Sequence, residues 1–298
     1  MSTMVATESP SPPPPARPAA TVVLLRDAPG GLEVFLMRRH GESDVLGGAY
    51  VFPGGKLDAD DARLDMAAHL DQAPDALHQA LGEPELDATT AASLYVAALR
   101  EAFEESGILF AEDAYTASAV DADAAAARLR GGQSFAALLA AMGLRLRTRD
   151  VAPWSRWVTP HVPTMMNKRF DTRFFVAAVP SDQTARHDNF ETTHSVWLPP
   201  RTALEQYRDG LITMAAPQIM SLAHLARHQR VDSVLGAARA RRPPVIQPAS
   251  FTQGEDRILC YPGDPRHPVA ERALPGPTRL RFRAQRFEPI DGFESLFA

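Results

Sequence analysis

The chain has 298 residues, of which 45% are hydrophobic and 22% charged, and its formal net charge is -5 at pH 7. These proportions are ordinary for a soluble globule and exclude wholesale disorder and fibrous repeats, while the negative balance gives no global attraction to nucleic acid or to an anionic membrane. One cysteine, Cys260, excludes an intrachain disulfide. No stretch reaches the roughly 18 apolar residues that a membrane span needs, and a cytoplasmic location is expected.

Residues 1–20 are rich in proline, alanine and serine, including the run from Pro12 to Pro15; this composition favours extended, solvated backbone and predicts a disordered tail. Residues 21–25 (Thr-Val-Val-Leu-Leu) and 32–37 flank a turn with Pro29, Gly30 and Gly31, the pattern of a β-hairpin. A third strand is expected at residues 49–52, stopping at Pro53-Gly54-Gly55, where proline ends ladder pairing and the chain must turn.

Residues 93–107 read as a helix, with Ser93 as N-cap candidate and Gly107 as C-cap. At roughly 100° per residue, Glu101, Glu104 and Glu105 share one arc, while Tyr95, Val96, Leu99 and Phe103 lie opposite. An acidic arc is commonly just a solvated face. Here, however, Glu101 and Glu105 stand at i and i+4, where like charges disfavour a helix by a few tenths of a kcal/mol unless a cation or an arginine relieves them. Mg²⁺, which prefers oxygen ligands and shares carboxylates with substrate phosphates, suits such a cluster. Arg100 is placed to pair with Glu104, four positions on.

Further along, the alanine-rich residues 117–142 read as helical, residues 173–179 as a buried strand, and residues 217–240 as a final long helix with Pro217 in its first turn. Beyond Arg242-Pro243-Pro244 come short alternating runs, residues 257–261 and 278–283, between Pro-Gly-rich turns. They predict a small β appendage that either covers a substrate cleft or buries surface in a homodimer. Smaller bets fall on Arg38, Arg39, Lys168 and Arg169 as phosphate contacts, on His187 and His194 as titrating groups, and on Trp154, Trp157 and Phe170 as stacking platforms. For each, the plainer reading as a solvated or core residue carries more weight.

Gly55 followed by Arg100-Glu-Ala-Phe-Glu-Glu-Ser-Gly-Ile108 resembles the Nudix box, G-x5-E-x7-R-E-U-x-E-E-x-G-U, where U is a bulky apolar residue. The first U holds the small Ala102. Five residues past Gly55 stands Asp61 in place of glutamate, and Arg100 follows after 38 residues (62–99) rather than seven. The excess reads as an insertion looped out of the box, with a short helix among residues 63–90; loop closure costs rise only logarithmically with length, so it is tolerable. Either Asp61 or Asp58 takes the first acidic position. Residues 46–55, 169–175 and 191–199 extend the resemblance to the branch that includes the mammalian peroxisomal coenzyme A diphosphatases. The arginine of the coenzyme A motif is replaced by Asp44, and the end Ser-Leu-Phe-Ala298 lacks a peroxisomal address of the Ser-Lys-Leu type.

The resemblance implies an α/β fold, the α/β/α sandwich with a mixed sheet, spanning residues 21–241 with an insertion at about 62–92, and followed by the β-rich extension 242–298. It also implies a diphosphatase acting on a small nucleoside diphosphate derivative of coenzyme A type, dependent on Mg²⁺ with Mn²⁺ as substitute. Glu101 and Glu105 are then the leading metal ligands, joined by Glu104 and the Gly55 carbonyl. Arg100, Glu104 and Glu105 form the catalytic set, with Glu104 as ligand or base and Glu191 as an outside candidate for the base. The rival reading is a Nudix domain that binds a nucleotide or metabolite without hydrolysis. An isomerase of the isopentenyl diphosphate type is disfavoured, because that chemistry uses a core cysteine and Cys260 lies in the extension.

Overall fold

The computed structural model describes residues 15–41, 47–160, 169–187 and 192–298. Strand β1 (Arg17–Ala28) turns through Gly31 into β2 (Gly31–Arg39), and the short β3 (Tyr50–Val51) and β4 (Gly54–Lys56) follow. Order therefore begins before the expected Thr21: Ala19 and Ala20 are buried, because β1 pairs from Arg17 onward with Phe170 and its successors. Residues 1–14 lie outside the described residues. After β4 come α1 (Ala59–Arg63), α2 (Met66–His69), α3 (Pro74–Leu81) and the long α4 (Ala88–Ser106). Next are β5 (Ala111–Asp113), α5 (Ala122–Arg130), α6 (Phe135–Met142) and β6 (Leu144–Leu146). The sheet continues with β7 (Val151–Val158), β8 (Phe170–Ala178) and β9 (Thr192–Leu198), then α7 (Pro200–Arg208), α8 (Ala216–Leu225) and α9 (Val231–Arg239). The chain closes with β10 (Val245–Ile246), β11 (Ala249–Gln253), β12 (Asp256–Cys260), β13 (Arg279–Arg283) and β14 (Arg286–Pro289).

The main sheet runs β10-β7-β8-β1-β2-β3, with β4 beside the start of β1 and β9 beside β2. It is mixed: β1/β8 and β7/β10 are parallel and the other pairs antiparallel. Its central strands are apolar on both faces, since side chains alternate and both sides are covered. Val22, Leu24, Phe35, Met37 and Phe175 point into a core with α4, whereas Val23, Leu25, Val34, Leu36 and Val176 point into a second core with α7, α8 and α9. This is the expected α/β/α sandwich.

Several local expectations change. Helix α4 starts five residues before Ser93, capped by Asp87, whose carboxylate accepts from the Thr90 amide at 2.8 Å. Ser93 is instead buried inside the helix and donates to the Thr89 carbonyl, while Gly107 ends the helix in the left-handed conformation, φ 72°. The alanine run is two helices, α5 and α6, parted by Gly131-Gly132, and Ser134 caps the second. The final helix is also two. Asp27, near the end of β1, accepts from the Val231 amide at 3.0 Å and pairs with Arg230, so the chain leaves α8 and restarts as α9.

The inserted segment is bound to β7 and β8 rather than hanging loose. Glu83 takes two bonds from the buried Arg173 and pairs with Arg156, which also holds Glu85 and Asp171. The C-terminal β11–β14 meander places Leu259, Tyr261 and Leu280 in the second core, and the 3-10 turn Phe293–Phe297 that follows adds Leu296. Tyr207 of α7 clamps it, donating its hydroxyl to the Phe287 carbonyl at 2.9 Å and accepting from the Phe287 amide at 2.8 Å.

Candidate active site

Two short segments meet at the outer end of α4. Phe52 and Pro53 carry the chain from β3, beside β2, to β4, beside β1, and the register Ala20↔Gly55 and Thr21↔Gly54 lays both glycines across β1. Neither position has room for a side chain. A Cβ at Gly54 would strike the Ala20 carbonyl and Thr21, and one at Gly55 would strike the Glu101 carboxylate. This close approach allows the Gly54 amide to donate to Glu105 Oε2 at 2.8 Å.

Arg100 is the centre of the cluster and is 8% exposed. Its Nε and Nη2 grip Asp61 at 2.8 and 3.0 Å, Nη1 reaches Glu101 at 2.8 Å and Glu104 at 3.0 Å, and Nη2 also donates to the Lys56 carbonyl at 3.1 Å. The expected Arg100–Glu104 pair is therefore present, as one of several. Asp61 rather than Asp58 meets the helix: Asp61 is 3% exposed and also accepts from the Asp58 amide, whereas Asp58 stays exposed, 3.7 Å from Arg100. The long insertion folds away as α2, α3 and the first turns of α4, and it leaves the two halves of the box in contact.

One guanidinium thus faces Asp58, Asp61, Glu101 and Glu104, with Glu105 on the same helix. Burial would lower the Arg100 pKa, but the Asp61 bonds and the Glu101, Asp61 and Glu104 charges more than offset it, so the group is held firmly protonated. Glu104 is pushed upward, first by burial and then by Asp61 and Asp58, against the pull of Arg100. Gathering these five acidic side chains in a partly buried cluster carries a desolvation cost that a cation can offset. Their all-oxygen chemistry fits a hard divalent ion such as Mg²⁺. Among the described residues no three acidic, histidine or cysteine side chains are already converged as a metal cage; Glu101 and Glu104 are turned to Arg100.

Beside Arg100 and Glu104 opens a pocket of about 250 Å³, walled by Leu64, Val96, Leu129 and Phe135 with Gln133 at its edge. The α5–α6 wall and the Gly54 amide had no local signature beyond the Gly-Gly pair itself. Of the lesser candidates, Trp154 and Trp157 are buried in the second core. His194 meets the Tyr50 hydroxyl at 3.2 Å, His187 meets Ser195 Oγ at 3.0 Å, and Arg38 reaches the Gly48 carbonyl at 3.4 Å. Arg169 donates to the Thr159 carbonyl at 3.1 Å, and Phe170 is half-buried on β8. Glu191, Lys168 and Asp44 lie outside the described residues.

An α/β/α sandwich in which a Gly-Gly segment abuts an Arg-Glu-x-x-Glu-Glu helix is the arrangement of a Nudix hydrolase. A family model described as the NUDT19 Nudix domain matches residues 4–225, and the chain belongs to that family. The acyl-coenzyme A diphosphatase NUDT19 of Xenopus laevis is 27% identical over 278 residues, covering 79% of this chain and 71% of that protein. Its human counterpart of the same name is 27% identical over 291 residues, covering 86% and 74%. A solved Nudix hydrolase from Alicyclobacillus acidocaldarius matches with a TM-score of 0.60 at 28% identity, covering 77% of this chain and 97% of that one. The chain is accordingly a diphosphate-cleaving enzyme.

Proposed function

We propose that the substrate is a coenzyme A derivative, with acyl-coenzyme A favoured, and that cleavage of its diphosphate depends on a divalent cation, Mg²⁺ or Mn²⁺. The names of the NUDT19 relatives support the substrate class. The observation that carries the chemistry is the convergence of Asp58, Asp61, Glu101, Glu104 and Glu105 around Arg100 and the Gly54-Gly55 segment. Glu101, Glu104, Glu105 and the Gly55 carbonyl are the proposed ligands. When bound, the cation supplies positive charge that offsets the charge on the phosphoryl oxygens.

The chain's own groups position and take up the proton. Arg100 holds Glu101 and Glu104 in place and ties them to Asp61. Gly54 orients Glu105 through its amide. Glu104, half-buried at the pocket mouth with its pKa raised, suits the role of base accepting a proton from the attacking water. Glu191 is the other candidate for that base, and unchanged turnover in E191Q would remove it. A cytoplasmic location belongs to the same reading.

The test is product release from acyl-coenzyme A, coenzyme A, NADH, ADP-ribose and nucleotide sugars, with and without Mg²⁺, by wild type and E105Q. Cleavage confined to the coenzyme A compounds, needing metal and lost in E105Q, is expected. Preference for another class overturns the substrate, and metal-independent turnover overturns the chemistry.

A further inference from the structure

A second opening lies away from the acidic helix. It is a cleft of about 1080 Å³ between the end of α8, the crossing from α9 to β11, and the β12–β13 connection. Helices α8 and α9 cover the second core, whereas α4 covers the first, so the sheet separates this cleft from the Nudix helix. The volume suits a small organic ligand.

The cleft gathers guanidinium groups of one kind. Many arginines elsewhere grip carboxylates, as Arg100, Arg149, Arg156, Arg173 and Arg279 do, although Arg38, Arg239 and Arg286 bond to backbone carbonyls. Around the cleft, Arg241, Arg242 and Arg272 have no carboxylate partner among the described residues. Arg241 is half-buried, stacks on Trp154 with Cζ 4.5 Å from the ring centre, and donates to the Trp154 carbonyl. Arg272 donates to the Leu274 and Gly276 carbonyls. Glu271 also lines the cleft but forms no ion pair with them, so three cations face one anion.

Two features narrow the ligand. His224 lines the cleft, and its Nδ1 is buried without a hydrogen-bond partner among the described residues. Burial, aided by the charges of Arg241, His228 and Arg227, pushes its pKa down to about 3, so the ring is neutral at physiological pH and leaves the cleft's charge to the arginines. Val245 and Val269, each 49% exposed, supply an apolar wall on the same cleft. Guanidinium forks match phosphate oxygens in geometry and charge.

We propose that this cleft binds a phosphate monoester carried on an apolar body, at a site separate from the diphosphatase centre. Arg241 and Arg242 hold the phosphate, and Val245 and Val269 cover the organic part. The assignment does not rest on the substrate reading above.

Calorimetric titration of the full chain with phenyl phosphate tests it, in EDTA so that no divalent ion bridges the ligand to α4. Binding at one site per chain is expected, tighter than for inorganic phosphate, weakened about tenfold or more in R242Q and unchanged in E105Q. Arg242 is exposed and forms no ion pair among the described residues, so R242Q is expected to keep the fold; R241Q is the second variant, with the thermal midpoints of both measured alongside. Absence of saturable heat overturns the site, as does wild-type affinity in both arginine variants. Loss of binding in E105Q places the ligand at the acidic helix instead, and equal affinity for the two phosphates overturns the apolar part.

Discussion

Arg100 and Asp61, 39 positions apart in sequence, share two hydrogen bonds of 2.8 and 3.0 Å, and both side chains are buried. This pair joins the glycine-bearing half of the box to its helical half across the insertion. Removing one member leaves a buried charge without its main partner, so D61A is expected to cost about 3–5 kcal/mol of stability. Asp58, exposed and 3.7 Å away, caps the short α1 and is expected to matter less: D58A should cost about 0.5–1 kcal/mol, well below D61A. Urea denaturation of the two variants decides the matter, and equal losses would show that the pair is not the tie.

The Gly55 position offers a steric test of the same assembly. A methyl group there collides with the Glu101 carboxylate, and both neighbours are fixed, Gly55 by its pairing with Ala20 and Glu101 by Arg100. G55A should therefore cost about 1–3 kcal/mol, the scale of overpacking, and lower turnover by displacing Glu101. A variant with unchanged melting and unchanged kcat/KM would mean that Glu101 has room to move without consequence.

How far the sequence foretold this site depends on the kind of signal. The acidic and apolar arcs of α4 were readable because helical periodicity is local, as was the cap at Gly107, where a left-handed residue is needed. Asp61 stood in the right register but shared its claim with Asp58; burial beside Arg100 separates them, and burial is a tertiary property. The break between α8 and α9 depends on Asp27, over 200 positions away, so no window around Arg230 contains its cause. Gly131-Gly132 did carry a local warning, which the surrounding alanines outweighed. The pocket wall from Leu129 and Phe135 likewise exists only once α5 and α6 fold back against α4.

Divalent metal gives a prediction readable without substrate. If the carboxylates around Arg100 form the cation site, Mg²⁺ stabilises the folded chain by mass action and raises its melting temperature. E101Q and E105Q should each reduce that rise and lower kcat/KM by about a hundredfold, the scale of losing one preorganised electrostatic group. Differential scanning calorimetry across a Mg²⁺ series checks the first point and steady-state assays the second. An identical Mg²⁺ response in wild type and both variants would falsify the ligand assignment.

The C-terminal meander supplies another test. Tyr207 bonds to Phe287, Trp157 packs edge-on against Tyr261 with centroids 6.1 Å apart, and Ile246 is fully buried on the edge strand β10. Truncation after Arg241 removes these partners and bares the second core. We expect the shortened chain to aggregate on expression. A soluble, fully active truncation would make residues 242–298 a dispensable addition.

Glu104 ties stability to pH in a direction opposite to that of an ordinary ion-paired carboxylate. Burial and the neighbouring Asp61 and Asp58 raise its folded pKa above the usual 4.5, despite Arg100. Between 4.5 and that raised value the folded chain holds more protons at this position than the unfolded chain does. The contribution of Glu104 to stability is thus fully present below 4.5 and is lost as pH rises through the folded value. At pH 7 the ionised group is a net liability in the metal-free protein, and E104Q, which carries no charge to desolvate, should melt higher than wild type there. The advantage should shrink toward pH 4 and also on adding Mg²⁺, which favours the ionised form. As the base, Glu104 should also give kcat an acidic limb above the ordinary carboxylate range, and E104Q should remove it. Melting curves of both proteins from pH 4 to pH 8, with and without Mg²⁺, separate these effects; an E104Q variant less stable than wild type at pH 7 in EDTA would show that the Arg100 bond outweighs the desolvation of Glu104.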